Sequence, residues 1–271
     1  MVAGPIAIRH SERTVRRLVY LSVAVLSGTV ICAASQARVS VPDATIDALA
    51  LERGTDQARL NALVSILRIT PERRGAPVVA AIEREARRML KVYRDGRYNS
   101  EAERQTSSDY AAGLVLALGQ SRRPEDIPLL VEFSGFGTMG TDAVAGYGES
   151  AVPALVKRAR GGRGDLEQRA GAIFSLAEIS RRAFAGTSPA LSMASQAEIG
   201  ALATELLERQ LTFVDVVVIT ELALATHRPE LRTELERLAN NLDPWTMRGL
   251  VDAERITQSQ HLIQVMMMRS P

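Results

Sequence analysis

Three similar segments decide the fold of this chain: Y-A-A-G-L-V-L-A-L-G ending at Gly119, A-V-A-G-Y-G ending at Gly148, and R-A-G-A-I-F-S-L-A-E ending at Glu178. In the first two copies a second apolar segment follows, and it contains an internal proline: I-P-L-L and then V-P-A-L. The segment ends lie 29 and 30 residues apart. A period of this size indicates stacked helical hairpins, in which each unit packs on the next.

These phrases resemble the HEAT-like repeat family, in particular the short repeats named after phycobilisome lyases. The matching residues are A-L-G followed by I-P-L-L within 117–130, and G-E-S-A-V-P-A-L at 148–155. The resemblance is clear over residues 110–182, with weaker echoes at 66–72 and 222–230. It implies an all-α fold, an α-solenoid of stacked antiparallel helical hairpins that forms a superhelix. Family members are mostly protein-binding scaffolds; a minority attach chromophores, a role that the export signal described below argues against.

The composition also favours helices. Aromatic residues make up 4% of the 271 residues, whereas β-sandwiches and sugar-binding proteins depend on aromatic and β-branched side chains. Alanine, leucine, glutamate and arginine dominate, as is typical of packed helices. The formal net charge of +2 is too small to indicate a nucleic-acid partner.

The N-terminus has the three parts of a secretory signal peptide. Four arginines precede an apolar run at residues 18–34, and Ser35-Gln36-Ala37 forms a small-x-small cleavage site. We therefore predict a signal peptide at residues 1–37 and one domain at residues 38–271, located in the periplasm or secreted. Removing the signal leaves a net charge of −1 and no cysteine. An uncleaved anchor at residues 18–34, which would make the protein a membrane-tethered adaptor, is the alternative.

Local patterns predict the individual helices. Thr55 caps a helix whose buried face comprises Leu60, Leu63, Val64 and Leu67. Residues 95–108 read as a polar connector with a helical start at 100, and residues 183–196 as a flexible loop. The β-branched run at 213–219 could form a strand, but it continues without a breaker into L-A-L, which favours a buried helix with Phe213, Val217, Thr220 and Leu224 on one face. A helix from Pro229 to Asn240 and a last long helix from Asp243 follow.

A glycine-rich segment is the first candidate site. Gly135, Phe136, Gly137 and Gly140 belong to a G-x-G-x-x-G sequence. A dinucleotide site needs a preceding strand and an acidic residue about twenty positions later. Here an apolar helix precedes, and basic residues occupy the later positions, which favours a glycine loop between repeats. Its exposed amides also suit close approach of a ligand, so an exported enzyme or enzyme accessory with a site near residues 135–142 is the alternative function.

Two basic stripes are the second candidate. The later stripe comprises Lys157, Arg158, Arg160 and Arg163, and could contact an acidic partner or lipid headgroups. The earlier stripe is interleaved with glutamates, which predicts a solvated helix face. Its residues are Arg84, Glu83, Glu85, Arg87, Arg88, Lys91 and Arg94.

Catalytic and metal-binding motifs are missing from the sequence. The mature chain has two histidines, of which His227 stands at a predicted helix end, where a capping role is favoured over catalysis. Neither H-E-x-x-H nor G-x-S-x-G occurs. We therefore expect no cofactor and no metal, and predict a non-catalytic scaffold whose partner is another protein.

Overall fold

The computed structural model describes residues 44–96, 100–161, 166–209, 213–247 and 252–270. Within these ranges the chain forms thirteen α-helices and no strand, which confirms the all-α prediction. The predicted signal peptide lies outside the described residues. The helices are α1 (Ala44–Arg53), α2 (Asp56–Leu67), α3 (Ala76–Asp95), α4 (Glu101–Ser121), α5 (Ile127–Glu132), α6 (Thr138–Ala145), α7 (Val152–Ala159), α8 (Leu166–Phe184), α9 (Met193–Glu208), α10 (Phe213–Ala225), α11 (Pro229–Asn240), α12 (Asp243–Met247) and α13 (Ala253–Arg269).

Contacts between the helices fall into two series. In the first series α1, α3, α5, α7 and α9 each contact the next member; in the second series α2, α4, α6, α8, α10 and α13 do the same. Consecutive helices also pair across the series, as α1 does with α2 and α7 with α8. Up to α10 every second helix therefore lies beside its predecessor, whereas α10 packs on α13 rather than on α12.

The repeated phrases supply the core. Leu118, Leu130, Leu155 and Leu176, which occupy the repeats, are all buried. Small residues allow the helices to approach closely: a Cβ on Gly119 would lie 3.0 Å from the Cβ of Ala143 on α6. Burying a leucine side chain contributes about 2 kcal/mol, so these contacts contribute substantially to the stability of the helical fold.

Prolines mark where the repeating units begin. Pro128 and Pro153 stand in the first turns of α5 and α7, and Pro229 begins α11. Proline fits this position because the first amide groups of a helix have no partner within the helix. Proline also begins two short 3-10 helices, Pro71–Arg73 and Pro124–Asp126.

Several local predictions hold and others need correction. Thr55 caps α2 as predicted, with its Oγ1 accepting from the Ala58 amide at 3.3 Å. Val64, however, is exposed, and Ile66 is buried instead. The face of α2 that packs on α1 and α4 is therefore rotated about the helix axis from the predicted one. The helical start predicted at residue 100 is confirmed, because Ser100 caps α4, which begins at Glu101; the polar connector is therefore shorter than residues 95–108.

The C-terminal part also differs in detail. α10 is a helix, as predicted. Of the face predicted to be buried, Thr220 is buried and Val217 and Leu224 are only partly buried, while the side chain of Phe213 lies outside the described residues. Val216, Ile219 and Leu222 are also buried. The loop predicted at 183–196 shrinks to residues 185–192 between α8 and α9. The predicted last long helix is two helices, α12 and α13. The single tryptophan, Trp245 on α12, is fully buried and donates from Nε1 to the Leu238 carbonyl oxygen at 2.7 Å.

Candidate functional site

The glycine loop joins two helices. α5 ends at Glu132 and α6 begins at Thr138, so the G-x-G-x-x-G segment lacks the preceding strand of a dinucleotide-binding fold. Gly137 has a φ of 80°, in the left-handed region that favours glycine, and stands directly before α6. Gly140 is buried, and a Cβ there would collide with the carbonyl oxygen of Phe133. The turn and this close packing account for both glycines.

Close contact with α8 explains a third glycine. A Cβ on Gly135 would lie 3.0 Å from the backbone nitrogen of Gln168 in the first turns of α8. From the other side, a Cβ on Gly171 would lie closer than 3.0 Å to backbone atoms of Ser134 and Gly135. The hydroxyl of Ser134 donates to the Val131 carbonyl oxygen at 2.7 Å and also lies 3.3 Å from the Gln168 carbonyl oxygen. The loop is thus held against α8 by its backbone.

Phe136 extends from this loop onto an aromatic neighbour. Its ring centroid lies 3.9 Å from that of Tyr93 on α3 and 4.9 Å from that of Phe133. The Tyr93 hydroxyl donates to Glu167 Oε2 at 3.1 Å. Tyr93 nevertheless remains 40% exposed. The loop therefore presents an aromatic pair at the surface, between the end of α3 and the start of α8.

The later basic stripe lies at the end of α7. Lys157 and Arg160 are exposed, Arg158 is half-buried, and Arg163 lies outside the described residues. Arg158 Nη2 lies 3.2 Å from Glu132 Oε2 on α5, and Arg160 Nε lies 2.9 Å from Glu205 Oε2 on α9. These arginines consequently connect neighbouring helices of the first series.

The earlier basic stripe reaches the same carboxylate. Arg94, at the end of α3, forms an ion pair with Glu132, the partner of Arg158. Two guanidinium groups from α3 and α7 therefore share one glutamate on the helix between them. The glycine loop, the end of α3 and the end of α7 are brought together around α5. Sequence patterns predict these three elements as separate features. No pattern indicates Tyr93 or Glu132, whose side chains connect them.

Glu85 corrects the prediction of a uniformly solvated stripe. Its side chain is buried between α3 and α4, where it accepts from Arg88 Nε at 3.0 Å and from the Tyr110 hydroxyl at 3.2 Å. Burial, reinforced by the nearby Glu85 carboxylate, raises the pKa of Tyr110. This part of the stripe therefore stabilises the packing of α3 against α4.

A cavity of about 260 Å³ lies near the Pro71–Arg73 turn and the end of α4. Arg74, which lines it, donates to the carbonyl oxygens of Ile69 and Ala117 at 3.1 and 3.0 Å. Burial lowers the pKa of Arg74. The buried carboxyl group of Asp126 lies 2.5 Å from the Ser121 hydroxyl, and its burial raises the pKa of Asp126, an effect that this hydrogen bond opposes. Arg74 thereby connects the segment before α3 to the end of α4.

His227 lies two residues after the end of α10, in the left-handed region with a φ of 52°. Its ring stacks on Phe184 at a centroid distance of 3.5 Å. The described residues contain no group of three or more histidine, cysteine, aspartate or glutamate side chains placed to hold a metal ion. Among the same residues, no helix combines the length and the apolar character needed to cross a membrane.

Comparison with known proteins does not assign the chain to a family. No model of a protein family matches the chain, and neither the curated proteins nor the solved structures yield a match.

Proposed function

We propose that this protein is an exported, non-catalytic scaffold that binds another protein through the surface of a HEAT-like helical stack. The observation that carries the proposal is the pair of contact series, in which the helices from α1 to α10 pack on the helix two positions away within their series. A solenoid has this pattern, because each hairpin contacts only its neighbours and the stack leaves an extended surface open to partners.

Bonds between neighbouring hairpins support the solenoid arrangement. The shared glutamate on α5 links α3 to α7, and Arg160 links α7 to α9. In the second series, Arg169 on α8 pairs with Asp215 on α10 at 2.8 Å. Each of these bonds joins helices two positions apart, as stacking of successive hairpins requires.

The shape can be tested in solution. A compact domain of about 230 residues has a radius of gyration of about 17 Å. Small-angle X-ray scattering of the secreted protein should give a clearly larger value and an elongated distance distribution. A radius at or below the compact value would refute the solenoid. N-terminal sequencing of the same protein should begin near residue 38, and retention of Met1 would refute cleavage.

Binding is tested by affinity capture followed by reconstitution. The full chain, with a C-terminal tag, is expressed in its own host and captured from envelope extract, with the tag alone as control. A protein enriched over this control should form a stoichiometric complex with the purified scaffold in isothermal titration calorimetry. If nothing is enriched, or no enriched protein binds when purified, the scaffold function is refuted.

A further inference from the structure

The cavity of about 260 Å³ is open to solvent, and it lies where the segment before α3, the end of α4 and the 3-10 helix Pro124–Asp126 come together. Its volume is that of about eight or nine liquid waters, which suits a ligand smaller than a drug molecule. It combines an aliphatic wall with side chains of both charges. The apolar lining residues are Pro71, Val79, Ile82, Ala117 and Leu118, and the polar ones are Glu72, Arg74, Ser121, Arg123 and Asp126.

Arg74 provides a buried positive charge in this cavity. Its guanidinium group donates to the carbonyl oxygens of Ile69 and Ala117 and to the side-chain oxygen of Gln120, all of which are neutral acceptors. Within the described residues it forms no ion pair, and the exposed Glu72 acts on it only at longer range. A guanidinium group has more N–H donors than these bonds use. Buried charges are normally paired, and the carboxylate of a ligand would pair with this one.

Asp126 provides a buried negative charge in the same cavity, with 1% of the residue exposed. Its Oδ2 accepts from the Ser121 hydroxyl at 2.5 Å, whereas Oδ1 has no hydrogen-bond partner among the described residues. No ion pair joins Asp126 to Arg74 in this part of the chain. Burial raises the pKa of Asp126 and lowers that of Arg74, so a ligand charge of the opposite sign would stabilise the charged form of each. A zwitterion carries both of these charges.

The spacing along α4 suits a short zwitterion. Arg74 bonds to the Ala117 carbonyl oxygen, and Asp126 bonds to Ser121, one turn further along the helix. The two bonding positions are therefore about 6 Å apart along the helix axis. The ammonium and carboxylate groups of an α-amino acid span a comparable distance when each makes a charge-assisted hydrogen bond of about 2.8 Å.

We propose that this cavity binds a free aliphatic α-amino acid, whose carboxylate bonds to Arg74 and whose ammonium group bonds to Asp126. The aliphatic side chain of the ligand packs on Val79 and Ile82, which line the cavity from α3. A side chain of the valine or leucine type fits, because these amino acids have about eight or nine non-hydrogen atoms and the cavity has room for about as many waters. The site goes beyond the scaffold function and does not depend on it.

The test is isothermal titration calorimetry of the full chain with L-valine and L-leucine. At least one of them should bind saturably, one molecule per chain, with a Kd of about 1 mM or tighter. The corresponding amines, isobutylamine and isoamylamine, lack the carboxylate, and the corresponding acids, isovalerate and isocaproate, lack the ammonium group. Each analogue should bind about tenfold more weakly or worse, because one buried charge of the cavity then stays unpaired.

Variants of the chain locate the site. D126N keeps the shape of the side chain without its charge and should weaken binding about tenfold or more. D142N is the matched control, because it makes the same change at an exposed aspartate that does not line the cavity, and it should bind as the wild type does. V79F fills the cavity and leaves both charges in place, so it should abolish binding while circular dichroism at 222 nm shows a folded protein.

The proposal is overturned if neither amino acid binds saturably, if an amine or acid binds as tightly as its amino acid, or if D126N and V79F bind like the wild type. Equal losses in D126N and D142N would also overturn it, since binding would then follow net charge. The comparison of amino acids with their analogues needs only the wild type, so it decides even where a variant does not fold. Capture of a protein partner is a separate measurement, and failure of the amino-acid site would leave the scaffold function standing.

Discussion

Replacing Gly171 by alanine tests the close approach of α8 to the glycine loop. Gly171 lies inside α8, where alanine would ordinarily stabilise the helix by about 1 kcal/mol. The added Cβ, however, would lie closer than 3.0 Å to backbone atoms of Ser134 and Gly135, which no side-chain rotation can relieve. α8 would have to move from the loop and weaken the contact between Ser134 and Gln168.

Overpacking of this kind costs about 1–3 kcal/mol, and more where backbone must shift. After the gain in helix propensity, we expect G171A to lower the free energy of unfolding by about 2 kcal/mol. For a domain of this size this corresponds to a fall in Tm of about 4–8 °C. Urea denaturation and thermal scans followed by circular dichroism at 222 nm measure both quantities.

The matched control is Gly113, also in the interior of a helix. A Cβ there would meet the end of the Leu63 side chain, at 2.7 Å, and this side chain can adjust. We expect G113A to change the free energy of unfolding by less than about 1 kcal/mol. If G171A is as stable as the wild type, or more stable, α8 does not pack on the loop as described here and the reasoning is refuted.

Three further predictions concern charged groups. Removing one partner of the mostly buried pair Arg169–Asp215, as in R169M, should lower the free energy of unfolding by about 3 kcal/mol in urea denaturation, and R169M/D215L should recover part of this loss. If the loss in the double variant instead equals the sum of the losses in R169M and D215L, the two residues do not form a direct pair. Burial raises the pKa of Asp126 above its value in the unfolded chain, so its contribution to stability is present at low pH and is lost as the pH rises through the folded pKa. The isosteric D126N should therefore flatten the decline of stability with rising pH, measured by urea titrations from about pH 4 to pH 8, and an unchanged decline would refute this. E132Q should cost at most about 1 kcal/mol, because Glu132 is partly exposed, and the loss should shrink in high salt; a loss that is independent of salt would contradict an ion-pair origin.

The sequence predicts the helices well because their signals are local. Thr55, Pro153 and Pro229 mark helix starts through groups that act within one turn, and all three stand at the starts of helices. Buried faces are less predictable, as Val64 illustrates, since the face that a helix buries depends on where its neighbours lie. The β-branched run in α10 shows the same effect, because packing on α8 and α13 overrides its strand propensity.

The candidate surface could be predicted only in parts. The glycine loop and both basic stripes stand out in the sequence, but their meeting at Glu132 depends on α3, α5 and α7 lying in one series. Glu132 is 38 residues from Arg94 and 26 from Arg158, so no local pattern connects them. The burial of Glu85 is unpredictable for a related reason: a glutamate among arginines usually faces solvent, and the tyrosine to which Glu85 bonds is 25 residues away.

The single tryptophan gives this protein a built-in reporter of one end. Trp245 is buried by the C-terminal helices, so its fluorescence follows the unfolding of α11 to α13, whereas far-ultraviolet circular dichroism follows all helices. In the solenoid that we propose, terminal units can separate before the middle does. The two signals would share one midpoint if the helices melt together, and they would part if the C-terminal end frays first. Comparing the two midpoints thus shows whether all helices unfold in one cooperative transition, and no dye has to be attached.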